Sequence, residues 1–214
     1  MIIRSALVRA TTAMVEAMVG VRLSESERRS AIVRAAHRIA VRDGLAMVSG
    51  RSVAAEAELS SGLVYFYFST KLGLLHALLH DVIGRALDGP ATDYGADLEP
   101  HEALQSMVAS EIRDLKRQRD DIELLFQFFF VRRDEEFRSE VNAGLHEYGR
   151  RLQPVIARFA ALHGLDSRSI TDATLAAIQG AGVELVRHPQ GYDAERIIAG
   201  LRDMPQFSAE GCCR

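Results

Sequence analysis

The sequence predicts an all-α protein, an N-terminal three-helix unit followed by a larger helical region. Apolar residues recur at helical spacing through residues 26–43, 71–87, 101–117, 121–132, 135–163, 171–187 and 193–203. No stretch shows the alternation and hairpin turns of a β-sheet. The composition is 48% apolar and 26% charged with five prolines, which fits a globular chain able to bury one substantial core or two small ones.

Each element follows from local signals. In residues 1–23, Ile3, Leu7, Met14, Met18 and Val21 recur near helical spacing, while Arg4, Arg9 and Glu16 interrupt every apolar run. The segment therefore reads as an N-terminal extension, either a short amphipathic helix or appended residues, and not as a signal sequence or membrane span. Ser24 followed by Glu27 is a capping-box pattern that opens a helix over 26–43. Ile32, Ala36, Ile39 and Ala40 form its apolar stripe, Arg28, Arg34, Arg38 and Arg42 its basic outer face, and Gly44 its stop. Two short helical stretches follow, over 52–57 and 60–67, and Ser69 is the expected cap of a longer helix over 71–87. The turn-rich run 88–100 (DGPATDYGADLEP) marks a boundary. The expected organisation is an extension (1–23), a three-helix unit (24–87), a second helical domain (88–205) and a polar tail (206–214).

The net charge of −3 argues weakly against a nucleic-acid partner, but it is unevenly spread. Residues 1–86 carry a net +4 and residues 87–214 a net −7. Cys212 and Cys213 are adjacent in the tail, where they support neither a zinc site nor a disulfide framework, so a reducing, cytoplasmic location is expected.

Two short helices joined by a tight turn, behind a longer one, have the geometry by which a helix-turn-helix presents its second helix to the major groove. Spacing alone leaves plain structural packing open. The residues at the turn are more specific: in RSVAAEAELSSGLVYFYFSTKLGLL, Ser60, Gly62, Tyr65, Tyr67, Phe68 and Lys71 fall in a Ser-x-Gly-x-x-Tyr-x-Tyr-Phe-x-x-Lys frame. This frame resembles the DNA-binding signature of TetR-family transcriptional regulators, and the resemblance extends over residues 24–85. It implies that Ser60 caps the recognition helix and that Gly62 admits a close backbone approach. Tyr65, Tyr67 and Lys71 are then expected on phosphates, and Arg51, Ser52, Ser61, Leu63 and Val64 at base edges. The bland alternative for the tyrosines and for Phe68 is a packed aromatic corner. Two departures from the family pattern stand out. Glu58 occupies a turn position where the family usually has glycine, and Ser61 stands where a basic residue is common. A left-handed Glu58 costs about 1 kcal/mol. Glu56 and Glu58 together are expected to lower non-specific phosphate affinity.

In the second region the resemblance implies a small-molecule pocket to which Met107, Ile112, Phe126, Phe129 and Phe130 contribute, although an aromatic stripe is also what an ordinary core shows. It also implies a four-helix dimer interface from the helices over 136–163 and 171–187. The residues expected there are Leu145, Leu152, Ile156, Phe159, Leu175, Ile178, Gly182 and Leu185, with intrachain packing as the alternative. His76 and His80 stand four apart without a third ligand at suitable spacing, and paired acids such as Asp120 with Asp121 read as solvated helix starts. No nucleophile elbow, phosphate loop or Cys/His arrangement is present, so neither an enzyme nor a cofactor is expected. The expected function is that of a homodimeric repressor, released from a palindromic double-stranded DNA operator by a small-molecule effector, with no membrane partner. The rival is a helical interaction protein that keeps the fold without binding DNA, favoured by the acidic net charge and by Glu58.

Overall fold

The computed structural model describes residues 24–88, 97–131 and 135–203. The expectations for residues 1–23, for most of the 88–100 linker and for the Cys212–Cys213 tail fall wholly or largely outside them. Nine α-helices lie among the described residues: α1 (Glu25–Asp43), α2 (Gly50–Glu56), α3 (Ser61–Phe68), α4 (Lys71–Leu87), α5 (Pro100–Asp114), α6 (Arg119–Phe126), α7 (Glu135–His163), α8 (Ser167–Arg187) and α9 (Ala194–Asp203). A 3₁₀ turn over Leu45–Met47 links α1 to α2, another over Leu115–Gln118 joins α5 to α6, and a π turn over Gln127–Val131 follows α6. No strand occurs among the described residues.

The N-terminal helices are set by their caps. Ser24 Oγ accepts from the Glu27 amide at 3.2 Å, and the Glu27 carboxylate accepts from the Ser24 amide at 2.7 Å, closing the expected capping box of α1. That second bond, with the Ser24 hydroxyl, holds the Glu27 carboxyl below the usual carboxylate range. α1 stops at Gly44, whose φ of +89° a side chain would resist. The expected cap of α4 needs correction. Thr70, not Ser69, accepts from the Gly73 amide, at 3.0 Å. Ser69 instead adopts φ +58° in a γ-turn closed by a Thr70 N–H to Phe68 carbonyl bond of 2.6 Å. This reversal crowds the first turn of α4, and a Cβ at residue 73 would stand 2.4 Å from the Phe68 carbonyl oxygen, which explains Gly73.

Two apolar cores result. The first gathers Ile32, Ala36 and Ile39 of α1, Val53 of α2, Val64 and Phe68 of α3, and Leu74, Leu75, Leu78 and Leu79 of α4. It continues into Leu124 of α6, Phe128 of the π turn, and Phe137 and Val141 of α7, so the second region closes the core of the first. The second core is built from α5, α7, α8 and α9 and includes Met107, Ile112, Leu152, Ile156, Phe159, Ile178 and Leu185. α7 packs against α4, α5 and α8, which ties the two cores together. No single helix among the described residues is long and apolar enough to cross a membrane.

Candidate nucleic-acid interface and an apolar cavity

α2 and α3 are short because local hydrogen bonds close them at both ends. Ser49 and Ser52 cap α2 reciprocally: each hydroxyl accepts from the other's amide, at 3.1 and 3.0 Å. At the far end, the Leu59 amide reaches the Ala54 carbonyl (2.8 Å) and the Glu58 amide the Ala55 carbonyl (3.3 Å), the bond pattern of a Schellman stop. Glu58 occupies the left-handed position of that stop with φ +57°, as expected of the place where glycine is usual. Ser60 Oγ then accepts from the Leu63 amide at 3.2 Å and caps α3.

The side chains expected on DNA divide into three groups. Arg51, Ser60, Ser61, Gly62, Tyr65 and Lys71 are exposed. Tyr65 is fixed by its ring lying across α2: a Cβ on Gly50 would stand 2.5 Å from it, which is why residue 50 is glycine. Lys71 donates from Nζ to the Ala46 carbonyl at 3.2 Å, holding the ammonium beside the 3₁₀ turn. Leu63 and Tyr67 are half-buried, and Tyr67 packs on the first core. Two base-reading expectations need correction. Val64 is 1% exposed, since its position on the helix points it into the first core. Ser52 spends its hydroxyl on the α2 cap, donating to the Met47 carbonyl at 2.8 Å.

The acidic handicap expected of this surface is smaller than the sequence suggests. Glu56 is clasped by Arg38 at 2.8 Å and Arg42 at 3.2 Å, bonds that hold its carboxyl below the ordinary range and match its charge. Phe66 was absent from the sequence-based set, yet it is 76% exposed at the middle of α3. Its neighbours Tyr65, Tyr67 and Phe68 make a run that reads as core, and only the helical angle relative to Val64 and Phe68 separates it from them.

Behind this unit, α4, α6, the π turn, α7 and α8 enclose an apolar cavity of about 210 Å³. Ile83 and Leu87 of α4, Ile122 and Leu125 of α6, Val141 and Leu145 of α7, and Ile178 and Gly182 of α8 form its walls. Phe126, Phe129 and Phe130 line it, and Phe130 is 65% exposed. Met107 and Ile112 do not line it, contrary to expectation, because α5 turns both into the second core. Among the described residues lining the cavity none is charged, and the polar groups are Gln118, Tyr148 and Gln179. The Tyr148 hydroxyl is hydrogen-bonded to Glu111.

The wall of this cavity is anchored directly to the N-terminal unit. Asp121, at the start of α6 and next to the lining residue Ile122, accepts a fork from Arg85 of α4 at 3.0 and 2.8 Å. It also lies 2.7 Å from His37 Nε2 of α1. Burial alone would raise its pKa, but the His37 and Arg85 contacts prevail and lower it to about 2. The solvated helix start expected of Asp121 is thus an interdomain clamp. The Gln127 side chain adds a second tie, accepting from the Leu45 amide at 3.3 Å.

The residues expected at a dimer face mostly lie elsewhere. Leu152, Ile156, Phe159, Ile178 and Leu185 are buried within the chain's own second core, because α7 and α8 pack against α5 and against each other. Leu145 and Gly182 border the cavity, and Leu175 is half-buried against the second core. The exposed stripe of α8 is instead Ala173, Ala176, Gly180 and Val183, and Leu162 and Leu165 are exposed at the end of α7.

Residues 32–78 match the family model described as bacterial regulatory proteins, tetR family. The N-terminal unit therefore carries the tetR-family module. The match covers residues 32–43 of α1, all of α2 and α3, and residues 71–78 of α4. No curated protein matches the sequence significantly. Several solved structures share the fold across most of their length. A transcriptional regulator FadR from Bacillus subtilis, solved in complex with stearoyl-CoA, is 19% identical with a TM-score of 0.62, covering 79% of this chain and 95% of its own. A Saccharomonospora viridis chain solved in complex with choline is 19% identical with a TM-score of 0.70, covering 85% and 97%. A TetR transcription regulator from Haloarcula marismortui is 21% identical with a TM-score of 0.68, covering 82% and 94%. At these identities the likeness concerns the fold.

Proposed function

We propose that the chain is a sequence-specific DNA-binding regulator that grips a palindromic operator as a homodimer and is released by a small apolar effector. The observation that carries this reading is the surface around α3. A capped short helix presents a glycine and exposed aromatic rings outward, with Arg51, Tyr65 and Lys71 beside them. Phosphate contacts from Tyr65, Lys71 and the amides at the start of α3 would set the register, and the outward residues of α3 would meet the base edges. The pairing of Glu56 with two arginines weighs against the rival in which the fold persists without DNA binding.

Two recognition helices must sit about 34 Å apart to enter successive major grooves, so the protein acts as a dimer. The small exposed residues Ala173, Ala176, Gly180 and Val183 of α8, with Leu162 and Leu165 at the end of α7, allow two copies to approach closely in a four-helix contact. The uncharged cavity takes an apolar ligand with one or two hydrogen-bonding groups within reach of Gln118, Tyr148 or Gln179. An acyl chain, such as that of the stearoyl-CoA held by the Bacillus structure, suits this uncharged, largely aliphatic lining. A ligand that enlarges the cavity strains α6, and the Asp121 and Gln127 ties pass that strain to α1, α4 and the 3₁₀ turn.

The test is a gel shift against DNA upstream of the protein's own gene, in rising salt, with and without saturated alcohols and fatty acids of graded length. Specific binding that weakens with salt and with one length class of ligand is the expected result. Absence of binding at low salt removes the DNA reading, and binding insensitive to every ligand that raises the melting temperature removes the switch.

A further inference from the structure

We infer that Phe66 is the side chain through which α3 reads sequence, by apolar contact with the C5-methyl group of a thymine. This rests on the DNA-binding reading above. A helix turns about 100° per residue, so the buried side chains of Val64 and Phe68 fix the inward direction of α3 and place Phe66 diametrically opposite. At 76% exposed it is the most exposed large apolar side chain among the described residues. One turn earlier on the same outward ridge stands Gly62, where an added Cβ would meet nothing within 4 Å. Intrachain packing therefore does not demand that glycine, and the backbone there is open to close approach from outside.

The ring is also held in place. Tyr67, packed on the first core, meets Phe66 edge-on with centroids 5.4 Å apart and planes at 86°. A phenyl ring neither donates nor accepts a hydrogen bond, so it cannot bind a phosphate oxygen or a polar base edge. In the major groove the group it complements is the thymine methyl. Arg51, exposed at the start of α2, carries the hydrogen-bond donors that Phe66 lacks.

Full-length protein is used to enrich duplexes from a random pool, and each thymine of the enriched site is then replaced by deoxyuridine in both half-sites. This exchange removes only the methyl group. Wild type is expected to lose about fourfold in affinity per half-site at one position. Phe66→Ala should bind the thymine duplex weaker by a similar factor and be indifferent to deoxyuridine there, while Phe66→Leu keeps part of the discrimination. Because no phosphate contact is removed, the salt slope of Phe66→Ala should equal that of wild type. Enrichment without a deoxyuridine-sensitive position, additive losses in the variant, or a changed salt slope overturns the assignment while leaving DNA binding intact. A failure to enrich any duplex overturns the DNA-binding reading and this inference with it. The deoxyuridine scan on wild type decides the matter even if a variant folds poorly.

Discussion

Replacing Asp121 by asparagine should reveal how much of the fold's stability rests on the clamp between α1, α4 and α6. The carboxylate is 15% exposed and faces Arg85 and His37, and its pKa falls from 3.8 to about 2 against the opposing effect of burial. A pKa lowered from 3.8 to about 2 corresponds to roughly 2 kcal/mol of stabilisation by the ionised form. Asparagine keeps the shape but lacks the charge, so at pH 7 the variant should lose about 2 kcal/mol, or about 4–8 °C in melting temperature for a chain of this size. Since the folded pKa lies below the unfolded one, the stabilisation is complete well above pH 3.8 and is lost as pH falls through 3.8 towards 2. At pH 3 about half should remain, and wild type and variant should converge further below. Urea unfolding of both proteins at pH 7 and pH 3 measures this. An equal deficit at the two pH values would refute the charge argument and assign the loss to packing.

Three further outcomes follow from the geometry. Glu58→Gly should raise stability by up to about 1 kcal/mol, because φ +57° in the Schellman stop suits glycine, with unchanged helicity by circular dichroism; a fall in melting temperature would count against it. Lys71→Ala should weaken binding to specific and scrambled DNA alike and lower the slope of log affinity against log salt by about one unit per subunit contact, since the ammonium is exposed beside the 3₁₀ turn. Gly182→Ala should fold normally, because the new methyl would meet Ile122 at an ordinary 3.6 Å, while narrowing the cavity so that thermal shifts by apolar ligands shrink and DNA affinity does not.

What could be read from the chain depended on whether the signal was local. The α1 capping box, the Gly44 stop, the left-handed Glu58 and the Ser60 cap each involve residues within a few positions of one another, and all are present. The Ser69 error was of the same local kind: Ser and Thr are both good caps, and the γ-turn decided between them. Non-local features were harder. Periodicity on α7 and α8 marks Leu152, Ile156 and Leu185 as buried but does not say whether α5 or a second copy buries them. The outward stripe of Ala173, Ala176 and Gly180 carries little hydrophobicity and so leaves a faint pattern. Met107 and Phe129 are both apolar on amphipathic helical segments, and only the packing of α5 away from the cavity separates them. Asp121 looked like any acid at a helix start, because its partners lie 36 and 84 residues away.

The shared first core limits how this protein could be recombined with its relatives. Leu124, Phe128, Phe137 and Val141 roof the same apolar cluster that Ile32, Leu75 and Leu78 build from below. A chimaera joined at residue 88, where the chain looks divisible, would take the N-terminal unit away from its own roof and set it under a foreign one. Two neighbouring rings of the π turn have different duties: Phe128 is buried in the first core, while Phe129 packs on that core and also lines the cavity. Grafting a new ligand specificity onto this scaffold therefore calls for exchanging the lining side chains singly, with residues 124, 128 and 137 travelling as part of the N-terminal unit despite their distance from it in sequence.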